Sequence, residues 1–235
     1  MNSDYLNHKK AIIMTQILDQ IALCIERGKI NAASPHPPDM KGQDGADELA
    51  KKALTEGMTA QDVLSGGLMV GMGRVGEKFR DRKIFVPDVL MAAKAMSAAM
   101  EHLKPYFRND QVKRKGTVIL GTVKGDLHDI GKKLVAMVVE GAGWEVVDLG
   151  IDVPPEKFIA AIEQRPGSVI GMSALLTTTM LNMEEAIKAI HAASPSTKVI
   201  VGGAPLTKDF ADKIGADAYS PDPQGAVEFL NTLAR

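Results

Sequence analysis

Apolar positions recur along this chain with two different periods. Through roughly its first hundred residues the spacing is three to four, the period of a helix with one buried side. This predicts four helices. The first covers 4–27, with Ile13, Ile17, Ile21 and Cys24 in line and Leu18 and Ile25 beside them. The second runs from Asp44 to Glu56 and stops at Gly57. The third runs from Thr59, placed like an N-cap three residues before Asp62, to about Phe79. The fourth starts at Pro87, where a missing N–H costs nothing, and carries Val89, Leu90, Ala93, Met96, Met100 and Leu103 as one stripe. Short connections imply an antiparallel bundle. Pro35, Pro37 and Pro38 forbid a helix near them, so an exposed loop is expected over 30–44. The polar and basic run Pro105–Gly116 is expected as a linker.

From Thr117 the texture changes to short apolar runs alternating with helical segments. Strands are predicted at 117–122, 145–149, 168–173, 198–201 and near 217–219, and helices at 130–141, 155–164, 179–193, 206–214 and 224–234. Strand and helix in strict alternation give an α/β fold, a five-stranded doubly wound parallel sheet of the Rossmann or flavodoxin kind. The expected organisation is a helical bundle cap over 1–104, a linker over 105–116 and the α/β domain over 117–235. Right-handed crossovers bring the loops after the strands to one edge: Lys124–Gly131, Gly150–Pro154, Ser173–Thr179, Gly202–Pro205 and Tyr219–Pro223.

Composition narrows the classes. With 28 basic against 29 acidic residues and no long run of one sign, neither nucleic acid nor a membrane surface is expected as a partner. The single cysteine, Cys24, cannot form an internal disulfide and lies in an apolar helical pattern, so a core role and a cytoplasmic protein are expected. No run approaches the ~18 apolar residues of a membrane span, and the N-terminus has no signal-peptide pattern. The run Gly71-Met72-Gly73-Arg74-Val75-Gly76 matches G-x-G-x-x-G, but that fingerprint needs a strand before it and here both sides are helical. With Gly66 and Gly67, these glycines read better as a face that lets a neighbouring helix come close.

The distinctive chemistry lies after the first strand, in Gly-Asp126-Leu-His128-Asp-Ile130-Gly131. A lone loop histidine is more often solvated than ligating. A carboxylate two residues away changes the balance, because accepting from one ring nitrogen leaves the other free for a metal. No second histidine, cysteine or glutamate stands near enough in sequence to complete a protein-only site. One nitrogen donor suits a metal that brings its own equatorial ligands, a tetrapyrrole-type cofactor. The hydroxyl run Ser173–Thr179 also reads as helix capping, and Gly202-Gly203-Ala204 as a tight turn. Their joint placement on one sheet edge suits a large ligand.

Asp126-x-His128-x-x-Gly131, Ser173-x-Leu175 and Gly202-Gly203, in this order on this fold, resemble the cobalamin-binding domain. Thr122–Lys133 is similar to the corresponding stretch of cobalamin-dependent methionine synthase, and Gly76-Glu77-Lys78-Phe79 and Phe85-Val86-Pro87 resemble its cap. The resemblance covers about 45–235 and departs at the proline-rich loop 32–42. A bundle plus cobalamin domain standing alone resembles the corrinoid protein of a three-component methyltransferase system.

That resemblance implies cobalamin as cofactor, methylcobalamin in the loaded state, with His128 as metal ligand. Asp126 and Thr179 complete a relay in which the family carries serine where this chain has Thr179. Gly125, Ile130, Gly131, Ser173, Leu175, Thr177, Gly202, Gly203, Ala204 and Tyr219 would line the cofactor, and Phe85, Val89, Met72 and Met96 would shield it. A substrate-specific methyltransferase would methylate Co(I), a second methyltransferase acting on tetrahydrofolate or coenzyme M would receive the methyl group, and a reductive activase would serve as a further partner. Regulators and mutase subunits carry the same module, but no basic helix-turn-helix and no substrate barrel is visible here. A flavodoxin-like receiver without cobalamin would leave Asp126 and His128 unexplained.

Overall fold

A computed structural model describes residues 3–108 and 113–234, with side chains over 12–106 and 113–234. The chain divides into a helical unit ending at Lys113 and an α/β unit built from Arg114–Glu140 and Trp144–Arg235.

In the helical unit, α1 is Ser3–Arg27 and α2 is Ala46–Thr55. A continuous stretch, α3, is made of Ala60–Asp62, a π-helical turn Val63–Leu68 and Met69–Arg80. The fourth helix, α4, is Val86–Arg108. Thr59 caps α3 as expected, its hydroxyl accepting the Asp62 N–H at 3.0 Å. Gly66, Gly67 and Gly71 do what their spacing suggested, whereas a Cβ on Gly73 would meet nothing within 4 Å. A Cβ on Gly67 would stand 2.9 Å from Ile21 Cγ2, and one on Gly71 2.6 Å from the Ala22 carbonyl, so only glycine lets α3 lie this close to α1. Cys24 is buried, and burial pushes its thiol up to about 11 despite the nearby Lys29. That makes it a core residue and a poor nucleophile.

Three expectations need correction. The buried stripe of α4 runs through Val89, Ala92, Met96, Ala99 and Leu103, while Leu90 is exposed and Ala93 and Met100 are half-buried, because small alanines let the helices approach. Pro105 lies inside α4 rather than opening a linker. It stands in the last described turn, where its missing N–H removes one intrahelical bond and the buried Leu103 still anchors the helix. Of the rest of the expected linker, 109–112 lie outside the described residues and 113–116 lead into the first strand of the α/β unit without regular structure. The proline-rich segment is also less exposed than expected. Pro38–Met40 forms a 3-10 turn with Met40 buried, Arg27 grips Asp39 at 2.8 and 2.9 Å, and the buried Lys29 ammonium donates to Ser34 O at 3.0 Å.

The α/β unit alternates as read: β1 Thr117–Thr122, α5 Ile130–Gly141, β2 Glu145–Asp148, α6 Pro155–Gln164, β3 Val169–Ser173, α7 Asn182–Ala193, β4 Val199–Gly202, α8 Lys208–Lys213, β5 Ala218–Ser220 and α9 Pro223–Leu233. All pairings are parallel, in the order β2-β1-β3-β4-β5. Ile119, Ile170, Val199 and Val201 of the sheet bury against Phe158 of α6 and Met183, Ile187 and Ile190 of α7. Helices on both faces explain why the strands are apolar at nearly every position rather than at alternate ones.

Candidate functional site

Register decides what meets at the carboxyl edge of the sheet. Thr122 pairs with Ser173, Ser173 with Gly202 and Gly202 with Ser220, so hydroxyl-bearing or small residues end four adjacent strands in one row. Sheet order reverses between β1 and β3, and the loops leaving such neighbours part to opposite faces and open a crevice. The β1–α5 loop and the β3–α7 loop flank it.

Asp126 is the fixed point of the β1–α5 loop. Its side chain has no exposed surface, yet it is fully bonded. Oδ1 accepts the His128 backbone N–H at 3.0 Å and the ring Nδ1 at 2.8 Å. Oδ2 accepts from Leu175 N at 2.8 Å, Leu176 N at 3.4 Å and Thr179 Oγ1 at 2.6 Å. Burial alone would raise this carboxyl's pKa. The donors from Thr179, Leu175 and His128 outweigh it and hold the group well below the usual carboxylate range. A carboxylate can only accept, so Nδ1 carries a proton in this bond, and in the neutral ring Nε2 is the nitrogen with the lone pair. The ring is half-exposed, so that lone pair is available.

Further bonds fix the backbone around the pair. The Thr122 hydroxyl donates to His128 O at 2.9 Å, with Ser173 Oγ also at 2.9 Å. Gly125 needs its φ of +82°, and its N–H donates to Asp152 Oδ1 at 2.7 Å. Asn182 Nδ2 donates to Lys124 O at 2.7 Å. Thr122, Asp152 and Asn182 escaped the sequence reading. Thr122 alone left a trace, as a polar residue closing an apolar run, whereas Asp152 acts from the β2–α6 loop and Asn182 from the first position of α7, both distant in sequence.

The expected residues fare unevenly. Asp126, His128 and Thr179 meet as one triad, although the run Ser173–Thr179 had an equally good reading as helix capping. Helix α7 starts only at Asn182, without a side-chain cap. Thr177 and Ala204 are exposed and Ser173 and Gly202 half-buried at the edge. Tyr219 donates its hydroxyl to Leu206 O at 3.0 Å, so its polar end is taken. Gly203 has a cause within the chain, since a Cβ there would sit 1.8 Å from the Ala174 carbonyl oxygen. In the helical unit Phe85 is 67% exposed, whereas Met72, Val89 and Met96 are buried.

Two observations test whether these residues suit a corrinoid. Leu127 and Ile130 are 67% and 73% exposed, Leu175 and Leu176 43% and 44%, an apolar rim around the imidazole that water does not favour. At Gly131 a Cβ would meet nothing within 4 Å and φ is not positive, so nothing in the chain itself demands glycine there. A flat apolar ring lying over the loop accounts for both. Among the described residues no group of three or more histidine, cysteine, aspartate or glutamate side chains could hold a metal by itself. The residues therefore fit a metal that arrives in its own macrocycle, with His128 as its one protein ligand.

The triad predicts a modest effect at its outer end. Thr179→Val removes a buried donor from Asp126 and should cost about 1–3 kcal/mol in urea unfolding. Thr179→Ser keeps the hydroxyl and should stay within about 1 kcal/mol of the native chain.

A family model for the B12 binding domain matches residues 116–228, and a second B12 binding domain model matches 43–104. The chain is 43% identical to the trimethylamine corrinoid protein of Methanosarcina barkeri, over 77% of this chain and 86% of that one. It is 40% identical to dimethylamine corrinoid protein 3 of Methanosarcina acetivorans, over 77% and 85%. Among solved structures it resembles the methanol:cobalamin methyltransferase complex of Methanosarcina barkeri, with a TM-score of 0.77, 29% identity, and coverage of 93% of this chain and 79% of that one. A cobalamin-binding protein of Desulfitobacterium hafniense matches with a TM-score of 0.69, 31% identity and coverage of 80% and 90%.

Proposed function

We propose a methyl-carrier function on one premise: this chain belongs to the family of B12-binding corrinoid proteins. It takes a methyl group from a substrate-specific methyltransferase and hands it to a second methyltransferase. The observation that carries this reading is the half-exposed His128 ring, held at Nδ1 by a buried carboxylate and rimmed by exposed leucine and isoleucine.

Bound cobalamin supplies a cobalt centre that accepts and releases a methyl group. His128 offers Nε2 to that metal, since Nδ1 is occupied by Asp126. Leu127, Ile130, Leu175 and Leu176 give the macrocycle an apolar bed and keep water from the metal side. Serine and threonine hydroxyls and bare glycine backbone along the β3 and β4 ends suit the polar tail. Asp126, 2.8 Å from Nδ1, would keep Nε2 turned toward the metal and could balance a proton on the ring when Nε2 is not ligating, while Thr179 steadies Asp126 from behind. Phe85 of the helical unit is an apolar side chain with free surface, available for the shielding role of a cap residue.

A methylamine is the expected donor. Relatives named for trimethylamine and dimethylamine are 40–44% identical to this chain, against 29% for the methanol complex. The acceptor enzyme would act on tetrahydrofolate or coenzyme M, and a reductive activase would be a further partner. The test loads the chain with cobalamin, reduces it and supplies trimethylamine, dimethylamine or methanol, each with its own methyltransferase. Methylation read from the visible spectrum should occur with a methylamine pair. Loading from methanol alone would overturn the donor assignment, and failure to retain cobalamin through gel filtration would overturn the carrier reading itself.

A further inference from the structure

One buried charge in the same loop cluster has no part in the chemistry above. Lys132, on the first turn of α5, is 2% exposed at its side chain. Its ammonium lies 2.8 Å from Gly150 O, 2.7 Å from Asp129 Oδ1 and 2.5 Å from Asp148 Oδ1. Gly150 O accepts a hydrogen bond from it, and the two carboxylates stand at ion-pair distance; a lysine is tolerated inside a protein only when paired in this way.

Each acceptor leads back to His128. Asp129 is its immediate neighbour in the chain, and the other Asp129 oxygen takes Lys133 Nζ at 2.5 Å. Asp148 Oδ1 also receives the Gly150 N–H at 2.9 Å, which fixes the end of β2. Gly150 O receives the Thr122 N–H at 3.0 Å, and the Thr122 hydroxyl reaches His128 O at 2.9 Å. The backbone carrying the imidazole is therefore held from both sides by bonds that converge on one ammonium. Asp126 sets the rotation of the ring, and Lys132 sets where the ring stands.

We propose that Lys132 is a positioning residue for the metal ligand, fixing the β1–α5 loop against the β2–α6 loop so that His128 Nε2 stands where a corrinoid cobalt can meet it. This rests on the corrinoid reading. The chemistry favours lysine here because a compact ammonium can satisfy three oxygens in different directions at once, which a planar guanidinium cannot.

The experiment loads the native chain, His128→Ala and Lys132→Met with cobalamin and reads imidazole ligation from the absorption spectrum and from nitrogen splitting of the cobalt paramagnetic resonance signal. Lys132→Met should bind cobalamin with a ligated fraction below about half. Methyl transfer should be slowed about 10-fold or more, as when other orienting partners of a ligand histidine are removed. Lys132→Met should retain cobalamin through gel filtration, which a chain that had lost its fold would not, and added free imidazole should restore a nitrogen ligand to the retained cofactor. Full ligation in Lys132→Met would overturn the proposal. Absence of ligation in the native chain would instead overturn the corrinoid-histidine reading beneath it. If Lys132→Met does not fold, Asp148→Asn removes charge from one acceptor at a partly exposed position. Reduced ligation there supports the proposal, and native ligation there overturns it.

Discussion

His128→Ala is expected to fold, retain cobalamin and lose the nitrogen ligand of the cobalt. The mutation removes a half-exposed ring and a single side-chain bond to Asp126. Four donors to that carboxylate remain: the His128 and Leu175 and Leu176 backbone N–H groups and the Thr179 hydroxyl. Stability should therefore fall by only about 1 kcal/mol, the usual worth of one hydrogen bond. The effect on function should be far larger. Losing an orienting partner of a metal-bound histidine typically costs 10–100-fold, and losing the ligand itself should cost at least about that much in methyl transfer. The cofactor's absorption spectrum should shift to that of a form without imidazole, and free imidazole should move it back. A native spectrum in this variant would remove His128 from the site.

Asp126→Asn should show the opposite balance, with a large loss of stability and a loss of ligation that follows from it. The replacement keeps the shape and turns one acceptor into a donor. Whichever way the amide is turned, an NH2 faces either the His128 donors or the Leu175, Leu176 and Thr179 donors. Buried donors left unsatisfied cost about 1–3 kcal/mol each, so a loss of about 3–5 kcal/mol is expected in urea unfolding at neutral pH. With the NH2 turned to His128, which spares the three donors on the other side, the histidine also loses the acceptor that keeps its proton on Nδ1, so Nε2 ligation should weaken in the variant that does fold.

The same residue predicts an acid dependence. In the folded chain the Asp126 carboxyl sits well below its ordinary value, with burial opposing the shift and the Thr179, Leu175 and His128 donors producing it. A carboxyl depressed on folding contributes its full stabilisation at pH above its unfolded value of about 4 and loses it as pH falls further. The stability gap between the native chain and Asp126→Asn should therefore be widest at neutral pH and narrow below about pH 4. A gap independent of pH across that range would mean that the carboxylate charge is not what stabilises the loop.

Much of this was legible along the chain because it depends on near neighbours. Helical spacing, five apolar runs and the turns between them fix which segments become helix or strand, since those preferences are set within a few residues. Asp126 and His128 could be paired from sequence because they stand two apart on one loop. That α3 lets a neighbouring helix come close could also be read from glycines at helical spacing, but that the neighbour is α1 came only from the fold.

Tertiary structure alone decided what depends on register and on contact across the sheet. Thr179 became a partner of Asp126 rather than a helix cap because the β3–α7 loop lies beside the β1–α5 loop, a neighbourhood that sheet order creates and no local spacing encodes. The Tyr219 hydroxyl found Leu206 O, a partner thirteen residues away that no local spacing announces. The bare backbone of Gly203 turned out to answer to Ala174. Lys132 is the clearest case: in sequence it is one of three lysines between 124 and 133, but folding places it among three oxygens from two loops and leaves it almost no water. The chain's own order determined which segments form and where the imidazole lies; the fold determined which distant groups hold that imidazole in place, because burial turns a solvated charge into one that must be satisfied by its neighbours.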